Sequence, residues 1–417
     1  MAEYVINGCH KLNGCIDIQG AKNSALPILA ATVLCRGEVV LHNCPRLTDV
    51  DTSVKILRYL GCTVYRDGDT ITVDSSGIYR YDVPTELMRE MRSSILFLGA
   101  ILGRLKQAKL SLPGGCELGP RPIDLHLSSL AQMGMILKEQ HGMLNCKTEN
   151  GLHSADITLS FPSVGATEDI MLAAVCARGT TTITNAAREP EICDLADFLN
   201  SCGARINGAG EGTIYIEGVK TLGCTQHIIM PDRIVAATYM AGVAVAGGKL
   251  FLKGALPSHL TSVTSVFEQS GCLIDYTGEG IYISSDDKLK KVRLIRTMPY
   301  PGFPTDAQAP IMAMCSLAQG TSVFVENVFE SRYKHVSELC RMGAGIYVHD
   351  KVAIVEGREK LFGADVEAFD LRGGAALVVA ALGAEGTTAI KGINYIERGY
   401  EDIEVCLDMV GASIKKI

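Results

Sequence analysis

The sequence predicts an α/β (α+β) protein of two domains, each assembled from three copies of one unit, and three observations carry that expectation. Six segments share the ending apolar-x-x-x-Gly-small-x-apolar: residues 57–64, 130–137, 199–206, 267–274, 339–346 and 407–414. Their glycines, Gly61, Gly134, Gly203, Gly271, Gly343 and Gly411, are spaced by 73, 69, 68, 72 and 68 residues, a near-constant period that chance does not supply six times. The same succession of apolar patterns surrounds each glycine. Finally, the sixth copy reaches Ile417 without its closing strand, while residues 4–20 at the other end of the sequence have strand character.

Each unit opens with a segment that is polar at its start and then almost wholly apolar, as in 163–177, 232–246, 305–318 and 372–384. A helix apolar on every side is a buried helix. A small-residue turn then leads into a β-like run at 180–185, 320–326 and 386–390. An amphipathic helix follows, typified by 192–201 with Leu195, Phe198 and Leu199 on one face. The repeat glycine comes next, where a helix C-cap needs left-handed backbone. A hairpin closes the unit, most clearly at 64–73 around Asp67-Gly68. Residues 4–20 are expected to cross over and complete the last unit. That places 1–20 with 231–417 in one domain and 21–230 in the other, with the two crossings near Gly20 and Met230 acting as a hinge. Two tandem domains on one linker are the alternative.

At 417 residues, 47% hydrophobic and 20% charged, the chain is long enough for two cores. Its start lacks the basic and apolar regions of a signal peptide, and apolar runs such as 375–381 are too short for a bilayer span. Fifteen cysteines occur singly, without a CxxC pair or Cys/His ligand spacing, so free thiols in a reducing cytoplasm are the simplest expectation. A net charge of −7 without a polybasic run argues against a nucleic-acid footprint. Any bound anion must therefore meet locally placed cations.

Such cations recur with the repeat. Arg46, Arg121, Arg188, Arg332 and Arg398 stand 11 to 15 residues before their repeat glycines, in the loop entering the amphipathic helix. A second polar set marks the starts of the buried helices: Lys22-Asn23, Arg92-Ser93, Ser163-Val-Gly165, Asp232-Arg233, Thr305-Asp306 and Asp370-Leu-Arg372. Free N–H groups at helix starts favour anions, and arginine holds phosphate or carboxylate bidentately. The stretch 111–122 adds one thiol, Cys116, and Arg121, among Gly114, Gly115, Gly119, Pro113, Pro120 and Pro122. That composition describes a mobile loop carrying chemistry or an ordinary surface turn. No GxGxxG or GxxxxGK[ST] fingerprint follows a predicted strand, and no Ser/His/Asp order can be argued. His126 reads as a ligand group or as a half-buried helix residue.

The motifs Gly20-Ala-Lys22-Asn23-Ser-Ala25, Leu112-Pro-Gly-Gly-Cys116, Arg121-Pro-Ile-Asp-Leu-His126, Ser163-Val-Gly-Ala-Thr167, Arg188-Glu-Pro-Glu191, Pro231-Asp-Arg-Ile234, Phe303-Pro-Thr-Asp306 and Arg398-Gly-Tyr-Glu401 resemble the UDP-N-acetylglucosamine 1-carboxyvinyltransferase (MurA) family. They match in collinear order over nearly the whole chain. The resemblance implies the two-domain enolpyruvyl-transferase fold, an inside-out α/β barrel of six βαβαββ repeats. It also implies transfer of the enolpyruvyl group of phosphoenolpyruvate to the 3-hydroxyl of UDP-N-acetylglucosamine, the committed step of peptidoglycan and cell-wall synthesis in the cytoplasm. Addition then elimination passes through a tetrahedral ketal, with no metal or organic cofactor, as two domains close and the Cys116 loop comes down as a lid.

By the same resemblance Cys116 is the proton donor to the methylene carbon, able to form an adduct with phosphoenolpyruvate and the target of fosfomycin. Asp306 takes the proton of the 3-hydroxyl. Lys22, Arg121 and Arg398 match the cations around phosphoenolpyruvate, with Arg332 on its carboxylate. Asn23, Asp306 and Val328 match contacts to the amino sugar, and Arg92, Arg121, Pro122, Ile123, Asp124, Leu125, Ser163, Val164 and Gly165 match those to the nucleotide and diphosphate. Asp370, at the start of the last buried helix, is counted with the substrate-binding set. Phe161 replaces a lysine found in some members, and Val235 replaces a glutamate or similar residue. The alternatives are the sister family making 5-enolpyruvylshikimate 3-phosphate, against which the Gly-Gly-Cys loop speaks, and a non-catalytic UDP-sugar-binding paralogue, against which the retention of Cys116, Asp306 and Lys22 speaks.

Overall fold

The six-fold motif ending in glycine is a helix stop, and its hydrogen bonds explain every position of the pattern. In the first unit Gly61 N–H donates to Arg58 O at 3.1 Å and Cys62 N–H to Leu57 O at 3.0 Å, the paired bonds of a Schellman cap. The same two bonds recur at Gly134, Gly203, Gly271, Gly343 and Gly411. All six glycines have φ between +94° and +105°, a region that an L side chain enters only at a cost. The apolar residue four before each glycine and the small residue after it are the two ends of the longer bond.

The protein's structure, a computed structural model, describes residues 2–112, 123–286 and 288–417. Of these, the residues up to 19 together with 231–417 form one compact unit, and 20–230 form the other. Each has its own hydrophobic core. The cores are built around central helices: Lys22–Ala31, Phe97–Leu105 and Val164–Ala174 in the 20–230 unit, and Arg233–Ala246, Thr305–Cys315 and Leu371–Gly383 in the other. These helices are buried nearly throughout, as all-round apolar sequences require. Each fully buried leucine, such as Leu29 or Leu377, contributes about 1.5–3 kcal/mol relative to an exposed one.

One sheet accompanies each central helix. In the third unit Asp156–Thr158 pairs parallel with Thr180–Thr184, which pairs antiparallel with Thr213–Glu217, which in turn pairs with Arg205–Asn207. The chain order there is βαβαββ, with the helix Pro190–Ser201 second. In the second unit the parallel edge shrinks to a bridge between Asp82 and Lys109 beside a three-stranded sheet.

The ends of the units are stitched by exchange of strands. Tyr4–Asn7 lies in the sixth sheet, antiparallel to both Thr387–Lys391 and Ser413–Lys416. The rest of the stretch 4–20 does not complete that unit. Leu12–Asp17 pairs parallel with Gly248–Lys253 and supplies the edge strand of the fourth sheet. Likewise Gln226–Ile228 supplies the edge strand of the first sheet, pairing with Glu38–His42. Parallel partners can be far apart in sequence, so local pattern does not announce them.

A second repeated glycine follows the last strand of a unit. A Cβ on Gly8, Gly218 or Gly357 would lie 2.0, 1.7 or 1.5 Å from the carbonyl oxygen of Ala384, Ala177 or Ala318. The backbone there runs directly against the end of the central helix, and only glycine fits.

Candidate active site

In the 231–417 unit the starts of the three central helices meet. Asp306, second residue of Thr305–Cys315, receives Arg332 Nη2 on Oδ1 at 2.7 Å and Arg372 Nη2 on Oδ2 at 3.1 Å. Arg372 is the second residue of Leu371–Gly383, and its Nη1 donates to the Tyr400 hydroxyl at 3.2 Å. Tyr400 shares a 2.8 Å hydrogen bond with Thr238 in Arg233–Ala246, which closes the chain of contacts across all three helices. Their positive dipole ends therefore face one region.

Both arginines are buried, at 2% and 3% exposure, yet each keeps its Nε without a hydrogen-bond partner. Burial alone would lower the basicity of Arg372, but Tyr400, Asp306 and Asp232 around it raise it above the usual guanidinium range. The Asp306 side chain remains 28% exposed, so its carboxylate is held from behind and open in front. Asp370 caps its helix by accepting from Arg372 N and Gly373 N at 3.0 and 2.9 Å. Val328 N–H donates to Glu326 Oε1 at 2.8 Å, and Glu326 Oε2 accepts from Thr305 Oγ1, which ties the Val328 loop to the helix start of Asp306. Arg398 ends the short helix Ile393–Arg398, and the following turn is pinned by Gln19, whose Nε2 donates to Gly399 O and whose Oε1 accepts from Glu401 N.

In the 20–230 unit Lys22 is the first residue of its helix, with Nζ 3.2 Å from Asp49 Oδ2 and only 9% of its surface exposed. Asn23 beside it is half-buried, as is Arg92 at the start of Arg92–Leu96. Ser163 caps Val164–Ala174 by accepting from Ala166 N, which leaves Val164 and Gly165 in the first turn. A Cβ on Gly165 would come 3.2 Å from the ring of His126. His126 itself is a buried packing residue, with Nδ1 3.0 Å from Asp169 Oδ2, while Asp169 Oδ1 accepts from Gly99 N. Ile123 precedes the helix Asp124–Gln132, on whose first turn Asp124 is exposed and Leu125 half-buried. Cys116, Arg121 and Pro122 lie outside the described residues. Phe161 stands 42% exposed two residues before the Ser163 cap.

The sequence reading named Asp370-Leu-Arg372 as a helix start but placed only Asp370 in the site. Arg372 belongs with Asp306, and its signal was the offset it shares with the acidic and basic residues of the other helix starts. Tyr400 lies inside the Arg398-Gly-Tyr-Glu401 motif, which assigns it no role, and Glu326, an acid just past a strand end, carries no local pattern. Three of the six central helices place a cation in their first two positions, Lys22, Arg233 and Arg372, against their own dipoles. That placement works against helix stability, and the carboxylates of Asp49 and Asp306 answer Lys22 and Arg372.

Comparison with known proteins agrees with this geometry. Residues 6–407 match the model of the family described as EPSP synthase (3-phosphoshikimate 1-carboxyvinyltransferase). The UDP-N-acetylglucosamine 1-carboxyvinyltransferase 2 of Caldanaerobacter subterraneus subsp. tengcongensis is 50% identical over 417 residues, covering the whole of both chains. The chain belongs to the UDP-N-acetylglucosamine 1-carboxyvinyltransferase family. The family's enzyme 1 from Carboxydothermus hydrogenoformans is 46% identical, covering 100% of this chain and 99% of its own. Among solved structures, the enolpyruvyl transferase NikO from Streptomyces tendae superposes with a TM-score of 0.90 at 25% identity, covering 100% of this chain and 98% of that one. The fold is that of the enolpyruvyl transferases, and the protein is a transferase. Among the described residues, no helix is long and apolar enough to cross a membrane.

Proposed function

We propose that this protein transfers the enolpyruvyl group of phosphoenolpyruvate to the 3-hydroxyl of UDP-N-acetylglucosamine, releasing phosphate and opening peptidoglycan synthesis. Full-length identity of 50% and 46% to relatives bearing that name carries the choice of substrates. The Asp306 cluster supports the chemistry. In the addition step the sugar 3-oxygen bonds to C2 of phosphoenolpyruvate, its proton passes to Asp306, and the methylene carbon takes a proton from Cys116. In the elimination step that carbon loses a proton, the C2–O bond to phosphate breaks, and the double bond returns on the transferred group.

Lys22, Arg121 and Arg398 neutralise the phosphate and carboxylate of phosphoenolpyruvate, and Arg332 acts on the carboxylate. Arg332 and Arg372 hold Asp306 from behind, so its open face meets the hydroxyl. Asn23 and Val328 contact the amino sugar. Arg92, Arg121 to Leu125, and Ser163 to Gly165 take the nucleotide and diphosphate, and Asp370 fixes the helix start that presents Arg372. Fosfomycin, a covalent ligand of Cys116, is the inhibitor this reading calls for.

Phosphate release from phosphoenolpyruvate tests the assignment. UDP-N-acetylglucosamine should support release, shikimate 3-phosphate should not, and fosfomycin should stop it in the parent but not in Cys116→Asp. Release with shikimate 3-phosphate alone would move the protein to the sister activity, and release with neither acceptor would refute both.

A further inference from the structure

The other ends of the central helices in the 20–230 unit surround a cavity of about 410 Å³ that none of the candidate active-site residues lines. Five cations line it: Arg36, Arg104, Lys106, Arg178 and Lys220; no aspartate or glutamate does. Among the described residues, none of the five has an ion pair or a side-chain hydrogen bond. Burial, and then the like charge of Arg36, hold the Arg104 guanidinium below its usual range. Leu34, Leu102 and Leu152 are among the other residues that line the cavity.

Main-chain hydrogen bonds hold the backbone of three of these residues at the rim, from which the exposed side chains of Arg36, Lys106, Arg178 and Lys220 extend. Arg36 N–H donates to Leu222 O at 3.1 Å, Lys106 N–H to Leu102 O at 2.9 Å and Arg178 N–H to Leu152 O at 3.0 Å. Arg36, Lys106 and Arg178 are also equivalent by repeat, each standing one or two residues before the strand that follows a central helix, Glu38–His42, Gln107–Ser111 or Thr180–Thr184. Cations at helix C-termini are ordinarily explained by the helix dipole. The 231–417 unit rules that out as a sufficient cause, since the ends of its three central helices have the same dipole. Two residues before its strands Gly248–Lys253, Thr321–Val325 and Thr387–Lys391 stand Ala246, Gln319 and Glu385. Five unpaired like charges around one small cavity repel one another, and a ligand with several negative charges removes that cost.

We propose that this cavity is a second ligand site that binds an oligophosphate group, either a free oligophosphate or the phosphate chain of a nucleotide. Arginine binds phosphate oxygens in bidentate pairs, and the leucines of the lining offer apolar contact to an attached ring. The site is independent of the enolpyruvyl-transfer reading, and no relative's name assigns it.

Calorimetric titration of the full-length protein with pyrophosphate, tripolyphosphate and ATP tests it, with UDP-N-acetylglucosamine present to occupy the sugar-nucleotide site. Saturable binding that weakens with added salt is expected, and Arg36→Gln with Arg178→Gln should loosen it about tenfold or more while phosphate release in the transferase assay is unchanged. Tighter binding of ATP than of tripolyphosphate identifies a nucleotide as the ligand, and the reverse order a free oligophosphate. Should the double variant lose its native circular dichroism, Lys220→Gln alone serves, with about a threefold loosening. No binding by the parent, or equal binding by parent and variants, overturns the proposal.

Discussion

The two units share a backbone plan and bury different balances of charge: cations and acids in similar number in 231–417, an excess of acids in 20–230. In the 231–417 unit the buried cations Arg233, Arg332 and Arg372, with His335, are matched by the buried acids Asp232, Glu326, Glu338 and Asp370 and by the half-buried Asp306. In the 20–230 unit Asp49, Glu168, Asp169 and Glu191 are buried, with Lys22 and His126 among their neighbours. Asp49 and Glu191 sit in first helical turns, where the dipole favours acids, whereas Glu168 and Asp169 lie mid-helix and have their carboxyl pKa raised by burial. Cations in a first turn work against the dipole and make sense as chemistry. The same scaffold thus gathers buried arginines around Asp306 in one unit and buried acids around Lys22 and His126 in the other.

The strongest way to break that comparison is Asp306→Asn. Turnover should fall by about 10²- to 10⁴-fold with little change in KM for UDP-N-acetylglucosamine, read by phosphate release, because a positioned base is lost while shape is kept. A variant with near-parental turnover would remove Asp306 from the proton transfer and with it the functional half of the contrast.

Next in size is Arg372→Met. Removing the buried cation takes one of two arginines from Asp306 and leaves Tyr400 with Thr238, and breaking such a buried pair costs about 3–5 kcal/mol. Partial exposure of Asp306 puts the expected loss at the lower end, measured as a shift in urea unfolding. Lys55→Met, at the exposed pair with Glu90, should cost less than about 1 kcal/mol.

The buried charges also predict opposite pH responses. Burial, opposed by Asp370 and reinforced by Arg332, lowers His335 from 6.5 to about 4. Between those values the unfolded chain holds a proton that the native one lacks, so this contribution to stability is lost as pH falls, by up to about 1.4 kcal/mol per unit. Glu168 is raised well above its ordinary 4.5 by burial and by Glu191, Glu189 and Asp169. There the native state holds the extra proton, so stability is fully present below 4.5 and declines as pH rises. Acidification from 6.5 towards 4.5 should therefore loosen the 231–417 unit and tighten the 20–230 unit. Hydrogen exchange corrected for intrinsic rates, with His335→Gln flattening the first response, reads both; parallel responses would erase the contrast.

The helix stops give the most local test. At Gly203 a Cβ meets nothing within 4 Å, so Gly203→Ala should cost only the left-handed backbone strain, about 1–2 kcal/mol, in thermal unfolding. Gly218→Ala, where the Cβ would overlap Ala177 O, should cost more.

Helix stops were legible because a Schellman cap is written in six consecutive residues, so Leu57 to Cys62 declares itself without help from the rest of the chain. Lys22, Ser163, Asp306 and Asp370 were legible as helix starts for the same local reason. Arg372 was half-legible. Its position was readable, but its bond to Asp306 spans 66 residues and exists only once two helices pack side by side. The cationic cavity was not legible at all, since Arg36, Arg104 and Arg178 become neighbours only when three helix ends converge.

By itself, then, the sequence determined the repeated unit, its count, its caps and the polar residues set at each buried helix start, because capping and periodicity act between residues a few positions apart. Tertiary structure alone decided that Leu12–Asp17 joins the fourth sheet and Gln226–Ile228 the first, and that Asp306 lies between two arginines. Those outcomes depend on parallel pairing and helix packing between distant segments, and no local pattern of side chains encodes which distant partner is met.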